Sequence, residues 1–78
     1  MIWIVDAKYL EAFKVKVTFS DGTEKIADLE NKIKNEKRSI FLPLKDAVFF
    51  SKVRFNPEID TIEWPNGADL APEFLYDL

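Results

Sequence analysis

The sequence predicts an α+β domain: a small antiparallel sheet of about five strands, arranged as two hairpins, with short helices that include one at the C-terminus. Three observations predict it. Residues 13–20, FKVKVTFS, alternate apolar and polar side chains without exception and run into Asp21–Gly22. A second pair of alternating runs, Val53/Phe55 and Ile62/Trp64, flanks the turn-rich NPEID. The strands also follow one another instead of alternating with long helices, which favours an antiparallel α+β fold over a doubly wound sheet.

In chain order, IWIVDAKYL (residues 2–10) reads as a first strand. Ile2/Ile4 and Trp3/Val5 make both its faces apolar, the pattern of a strand buried on two sides or central in its sheet. LEAF turns the chain. Phe13, Val15, Val17 and Phe19 then alternate with Lys14, Lys16, Thr18 and Ser20, as in a half-buried antiparallel strand. Gly22 accepts positive φ without strain, so Asp21–Gly22 is a hairpin turn and TEKIADL (23–29) the returning strand. LENKIKNEKRS (29–39) is charged, with Leu29 and Ile33 four apart. It fits either one or two helical turns or a loop. Pro43 suits a first helical turn, and Leu44, Val48 and Phe49 fall at i, i+4 and i+5, so the spacing predicts a short helix over 43–51.

KVRFNPEIDTIEW forms the second hairpin, PNGAD a turn, and APEFLYDL a closing helix with Pro72 early in it. Asp69 is placed to cap that helix through its backbone N–H groups. Asp69, Glu73 and Asp77 would then form an acidic i, i+4, i+8 row. The expected core draws on Ile4, Phe13, Val15, Val17 and Phe19. Leu29, Leu44, Phe49, Val53 and Phe55 extend it, and Ile62, Trp64, Leu70 and Leu75 close it.

Length and composition set the bounds. At 78 residues the chain is expected to be a single domain, residues 1–78. A chain this short buries only about 60% of its unfolded surface. It compensates with 47% hydrophobic residues, seven Phe and two Trp among them, and aromatic rings bury the most area per side chain. Without cysteine there is no disulfide, thiolate site or thiol nucleophile. The start MIWIVDAKYL has no basic region and meets Asp6 early, and no apolar run reaches membrane-spanning length, so a cytoplasmic protein outside the membrane is expected.

Several functional classes drop out. Histidine is absent, which removes the usual general base near neutral pH and the commonest metal ligand. The two glycines stand far apart, so no phosphate-cradling loop exists. Ser20, Ser39 and Ser51 have no histidine to activate them. Glu58, Asp60 and Glu63 could meet a hard cation, but the spacing of a calcium loop is missing and they read as solvated turn acids. No catalytic residue, metal or cofactor is assigned. Lys32, Lys34, Lys37 and Arg38 form a basic patch diluted by Glu30 and Glu36, and direct nucleic-acid contact is not expected.

Charge is segregated along the chain. Residues 1–54 hold all 11 basic residues against 8 acids, whereas residues 55–78 hold 6 acids and no base. The acidic end is either a solvated surface or a face for a basic partner.

VTFSDGTEKIADL, FLPLKDAVFFSKVRF and IEWPNGADLAPEFLY together resemble the bacterial domain family of unknown function numbered 2442. The resemblance rests on Phe19, Asp21 and Gly22, on Asp28 and Leu29, on Pro43, Leu44, Asp46 and Phe50, and on the long terminal run from Trp64 to Tyr76. It implies a small α+β fold without established catalytic residues. It also implies a setting similar to a toxin–antitoxin pair, because short members are often encoded beside another small protein. Some members carry a fused helix-turn-helix segment, which this sequence lacks.

Three functions follow as expectations. One is a non-catalytic protein-binding module, an antitoxin-like or regulatory partner of a small protein encoded nearby. Another is a small-molecule or enzyme site using carboxylates near Trp64–Asp69. The last is a homo-oligomeric unit, since edge strands in so small a sheet invite pairing. The candidate binding residues are Trp64, Asn66, Asp69, Glu73, Tyr76 and Asp77.

Overall fold

The alternation in residues 13–20 does become the centre of a sheet. In the computed structural model, which describes Met1–Leu78, β1 (Ile4–Glu11), β2 (Lys14–Phe19) and β3 (Glu24–Asp28) pair antiparallel in the order β1-β2-β3. Val15, Val17 and Phe19 point into the core, while Lys16 lies on the solvent face opposite Lys8 and Ile26. A helix α1 (Glu30–Asn35) follows, then a 3₁₀ helix (Ser39–Lys45) and a short α2 (Ala47–Phe50). The second hairpin is β4 (Arg54–Asn56) with β5 (Thr61–Glu63), and α3 (Pro72–Tyr76) closes the chain.

The five strands and two hairpins are present, but they form two sheets, not one. The Ile4 N–H donates to the Asp60 carbonyl at 2.9 Å, so the sheets touch without continuing one ladder. Asp60, with φ 57, is the last residue of the turn that joins β4 to β5.

β1 is an edge strand, contrary to the central position its two apolar faces suggest. Its register against β2 shifts between Ile4 and Asp6 and again between Tyr9 and Glu11. Val5 and Leu10 are the extra residues of two bulges and lie exposed. Ile4, Ala7 and Tyr9, unevenly spaced, therefore supply the core face opposite Phe19, Val17 and Val15.

The single helix expected over 43–51 is two pieces. Phe41 and Leu44, three apart, are buried along one row of the 3₁₀ helix, as three residues per turn require. Asp46 then adopts an extended conformation and accepts the Val48 N–H at 3.0 Å, capping α2. That restart turns Phe50 inward and leaves Val48 70% exposed. Phe49, expected in the core, is only partly buried beside it.

One cluster of fifteen buried apolar residues holds the fold together. Ala27, Ile33, Phe41, Phe50 and Ala68 join the expected set, whereas Phe13, Val53 and Phe55 pack on its rim. Phe50 is its aromatic hub, with ring centroids 5.0 Å from Phe13, 5.3 Å from Trp64 and 6.3 Å from Tyr9. No helix is long and apolar enough to cross a membrane.

Candidate functional site

Two loops of the same design organise the regions singled out in the sequence. Both read aromatic, any residue, Asp or Asn, then Gly. In the first, the Phe19 N–H donates to the Thr23 carbonyl (2.8 Å) and the Gly22 N–H to the Phe19 carbonyl (2.9 Å). In the second, the Trp64 N–H donates to the Ala68 carbonyl (2.9 Å) and the Gly67 N–H to the Trp64 carbonyl (2.9 Å). Each is a three-residue hairpin loop whose last residue is left-handed, and both glycines have φ 89. A Cβ on Gly67 would meet nothing within 4 Å, so glycine is required there by backbone conformation and not by space.

The Asx residue of each loop works twice. Asp21 Oδ1 accepts the Thr23 N–H at 2.9 Å, and Asn66 Oδ1 accepts the Ala68 N–H at 3.1 Å. The second side-chain atom ties the loop to a distant element. Asp21 Oδ2 accepts the Tyr76 hydroxyl at 2.8 Å, which fastens α3 to the β2–β3 hairpin. Asn66 Nδ2 donates to the Ile40 carbonyl at 2.7 Å. In a 3₁₀ helix that carbonyl would receive the N–H of residue 43, and Pro43 has none.

The six candidate residues therefore divide. Trp64 is buried beneath its loop, and its indole N–H donates to the Phe50 carbonyl at 2.9 Å. Asn66 is occupied at both side-chain atoms. Tyr76 packs edge-on against Phe19 at 4.9 Å while its hydroxyl holds Asp21. Lys25 adds to this latch, donating to the carbonyls of Tyr76 and Leu78. Its cation at the helix C-terminus suits the helix dipole.

The remaining three, Asp69, Glu73 and Asp77, are exposed carboxylates. Asp69 does not cap α3. It forms an antiparallel bridge with Glu63, which continues the second loop's hairpin, and α3 has Ala71 at its N-cap with no side-chain cap. Only Glu73 lies within the helix, and Asp77 is its C-cap, so the three do not form one helical row. Glu63 accepts from Arg54 at 2.6 Å and from Asn56 at 2.9 Å. Glu58, Asp60, Asp69, Glu73 and Asp77 form no ion pair.

Two depressions mark the surface. The smaller, about 190 Å³, lies between Arg38, Ile40, Phe41 and the Gly67–Asp69 segment. The larger, about 340 Å³, is a cleft between α1 and the terminal segment, lined by Asn31, Lys32, Asn35, Glu36, Phe74 and Leu78. None of the six candidates lines it. Its only sequence signal was the four-residue spacing of Asn31 and Asn35 in a stretch that reads equally as loop.

Two carboxyls are shifted, both toward the ionised form. The Arg38 guanidinium, and after it Lys32, hold the Glu36 carboxyl well below the usual carboxylate range. The Thr23 N–H, and after it the Tyr76 hydroxyl, lower Asp21. A carboxyl serving as general acid near neutral pH needs the opposite shift. No three acids converge as a metal site.

The family model described as protein of unknown function (DUF2442) matches residues 4–78. No curated protein matches the chain. Among solved structures, the chain is similar to the crystal structure of a candidate DNA-binding protein from Nitrosomonas europaea, with a TM-score of 0.78 at 17% identity. The similarity covers 97% of this chain but 47% of that one, so the chain spans about half that protein's length. At that identity the shared property is the fold.

Proposed function

The chain belongs to the DUF2442 family of proteins of unknown function, and on that footing we propose that it is a non-catalytic protein-binding module whose acidic C-terminal surface meets a basic protein. One observation carries this reading. Five exposed carboxylates, Glu58, Asp60, Asp69, Glu73 and Asp77, have no ion-pair partner within the chain. Unpaired charge of one sign repels itself and is relieved by a complementary surface, which also speeds encounter. In this reading Trp64, Asn66 and Tyr76 form the rigid scaffold, and Asp69, Glu73 and Asp77 belong to the contact surface. The partner is a small protein encoded nearby, for which this chain acts as an antitoxin-like or regulatory subunit. Co-expression with the adjacent gene product tests it. A complex that survives purification, together with rescued growth, is expected; neither complex nor rescue overturns the reading.

A second reading, nucleic-acid contact, is favoured by the similar fold of the candidate DNA-binding protein. It draws on residues 37–54, where five basic residues face a single acid, Asp46. The net charge of -3 opposes it. Anisotropy with a labelled duplex across a salt series separates the two, because phosphate contacts give binding that weakens steeply with salt.

A further inference from the structure

We propose that Asn66–Gly67 is a latent modification site: the folded loop holds it inert, and opening of the loop lets the carboxamide cyclise and deamidate, which keeps the loop from folding back. Asparagine cyclises most readily when the next residue is glycine, because no side chain shields the attacking backbone nitrogen. The four asparagines of the chain are followed by Lys32, Glu36, Pro57 and Gly67. Pro57 has no N–H to ionise. Lys32 and Glu36 carry side chains, and Asn31 and Asn35 are held in α1. Asn66 alone meets the requirement, and both it and Gly67 are exposed to the water the reaction consumes.

The chemistry needs only the chain and water. The Gly67 nitrogen gives its proton to solvent and bonds to Asn66 Cγ. The Cγ–Nδ2 bond breaks, and Nδ2 takes up a proton and leaves as ammonia. Water then opens the cyclic imide. Cleavage between the nitrogen and Cγ leaves aspartate. Cleavage between the nitrogen and the backbone carbonyl carbon leaves isoaspartate, whose main chain runs through the former side chain.

Each reacting group is tied down in the folded loop. Asn66 Nδ2 donates to the Ile40 carbonyl at 2.7 Å, and Oδ1 accepts the Ala68 N–H at 3.1 Å. The Gly67 N–H, whose nitrogen must attack, donates to the Trp64 carbonyl at 2.9 Å. The ring closes only after these bonds open. Each shifts the opening equilibrium about fivefold, so the three together protect the site about a hundredfold. The matching loop repeats the geometry with Asp21 before Gly22. There a carboxylate, a poor electrophile, replaces the carboxamide, and the Thr23 N–H and the Tyr76 hydroxyl favour its ionised form.

The products cannot restore the loop. Aspartate places an oxygen where Nδ2 met the Ile40 carbonyl, so two acceptors face each other. Isoaspartate lengthens by one methylene a loop that the Trp64–Ala68 and Trp64–Gly67 backbone bonds close. Either product also adds a negative charge three residues from Asp69.

The test follows deamidation by peptide mapping and mass spectrometry in warm neutral buffer. The full chain is compared with the free peptide of residues 62–70, IEWPNGADL. The folded chain should deamidate at Asn66 about a hundredfold more slowly than the peptide, and the urea-unfolded chain as fast as the peptide. In urea below the unfolding transition, the rate should rise with hydrogen exchange of the Gly67 amide and not with that of Val17 at the sheet centre. The aspartate product, isolated by ion exchange, should melt with the Asn66→Asp variant and below wild type. A folded chain that deamidates as fast as the peptide, or an unfolded chain that does not deamidate, overturns the proposal. So does a rate that follows Val17, or a product that melts with wild type.

Discussion

Asn66→Ala should destabilise the fold by an amount that depends on residue 43. The Ile40 carbonyl lacks its 3₁₀ partner because Pro43 carries no N–H, and the Asn66 carboxamide donates to it at 2.7 Å. Asn66 also accepts the Ala68 N–H at 3.1 Å. Each such bond contributes about 1 kcal/mol net, so losing both should cost about 1–2 kcal/mol, a fall in Tm of roughly 4–16 °C for a domain of this size. Pro43→Ala restores a backbone donor for Ile40. In that background Asn66→Ala should cost about 0.5–1 kcal/mol less, the low end applying because Ile40 and Asn66 both reach solvent. Urea melts of the four proteins in the cycle measure the coupling. Asn66→Asp serves as the control, since it keeps the acceptor for Ala68 and loses only the donor. A coupling within about 0.3 kcal/mol of zero, the ordinary limit of additivity, would refute the assignment of Asn66 as the replacement donor.

Three further outcomes follow. Phe50→Ala should cost about 3–5 kcal/mol in denaturant melts, whereas Val48→Ala, two residues away and exposed, should stay within about 0.5 kcal/mol. Tyr76→Phe should cost about 0.5–1.5 kcal/mol and return the Asp21 carboxyl toward its usual range, seen by NMR titration. Glu36 has its folded-state pKa lowered chiefly by Arg38, so its contribution is present above the unfolded value of about 4.3 and lost as pH falls through the folded one. Glu36→Gln should therefore lower the urea midpoint at pH 7, with the gap to wild type closing below about pH 4.

Where local rules act alone, the chain was legible. The strict alternation of residues 13–20 gave β2, and the two Asx–Gly pairs gave left-handed loop positions. The unread parts are those where one residue alters everything after it. The extra residues Val5 and Leu10 shift β1's faces, so a strand that looked buried on both sides is a bulged edge. The extended Asp46 restarts the helix and turns Phe50 inward. Asp69 has the chemistry of a helix cap, but the left-handed Gly67 folds it back on Glu63 first. Of the candidate residues, their chemistry was visible and their use was not. Whether an Asn, Tyr or Trp serves the fold or a partner depends on the atoms that reach it across the chain, here Ile40, Asp21 and Phe50. The cleft was less visible still, because it exists only where α1 meets the terminal segment.

In the proposed reading, the unpaired carboxylates of the C-terminal surface meet a basic protein. The most direct test is the association rate of the protein encoded nearby with wild type and with Asp69→Asn/Glu73→Gln/Asp77→Asn, each at low and high salt. Neutralising the three acids should slow association at least about tenfold at low salt and flatten its salt dependence. An unchanged rate with an unchanged salt dependence would contradict it.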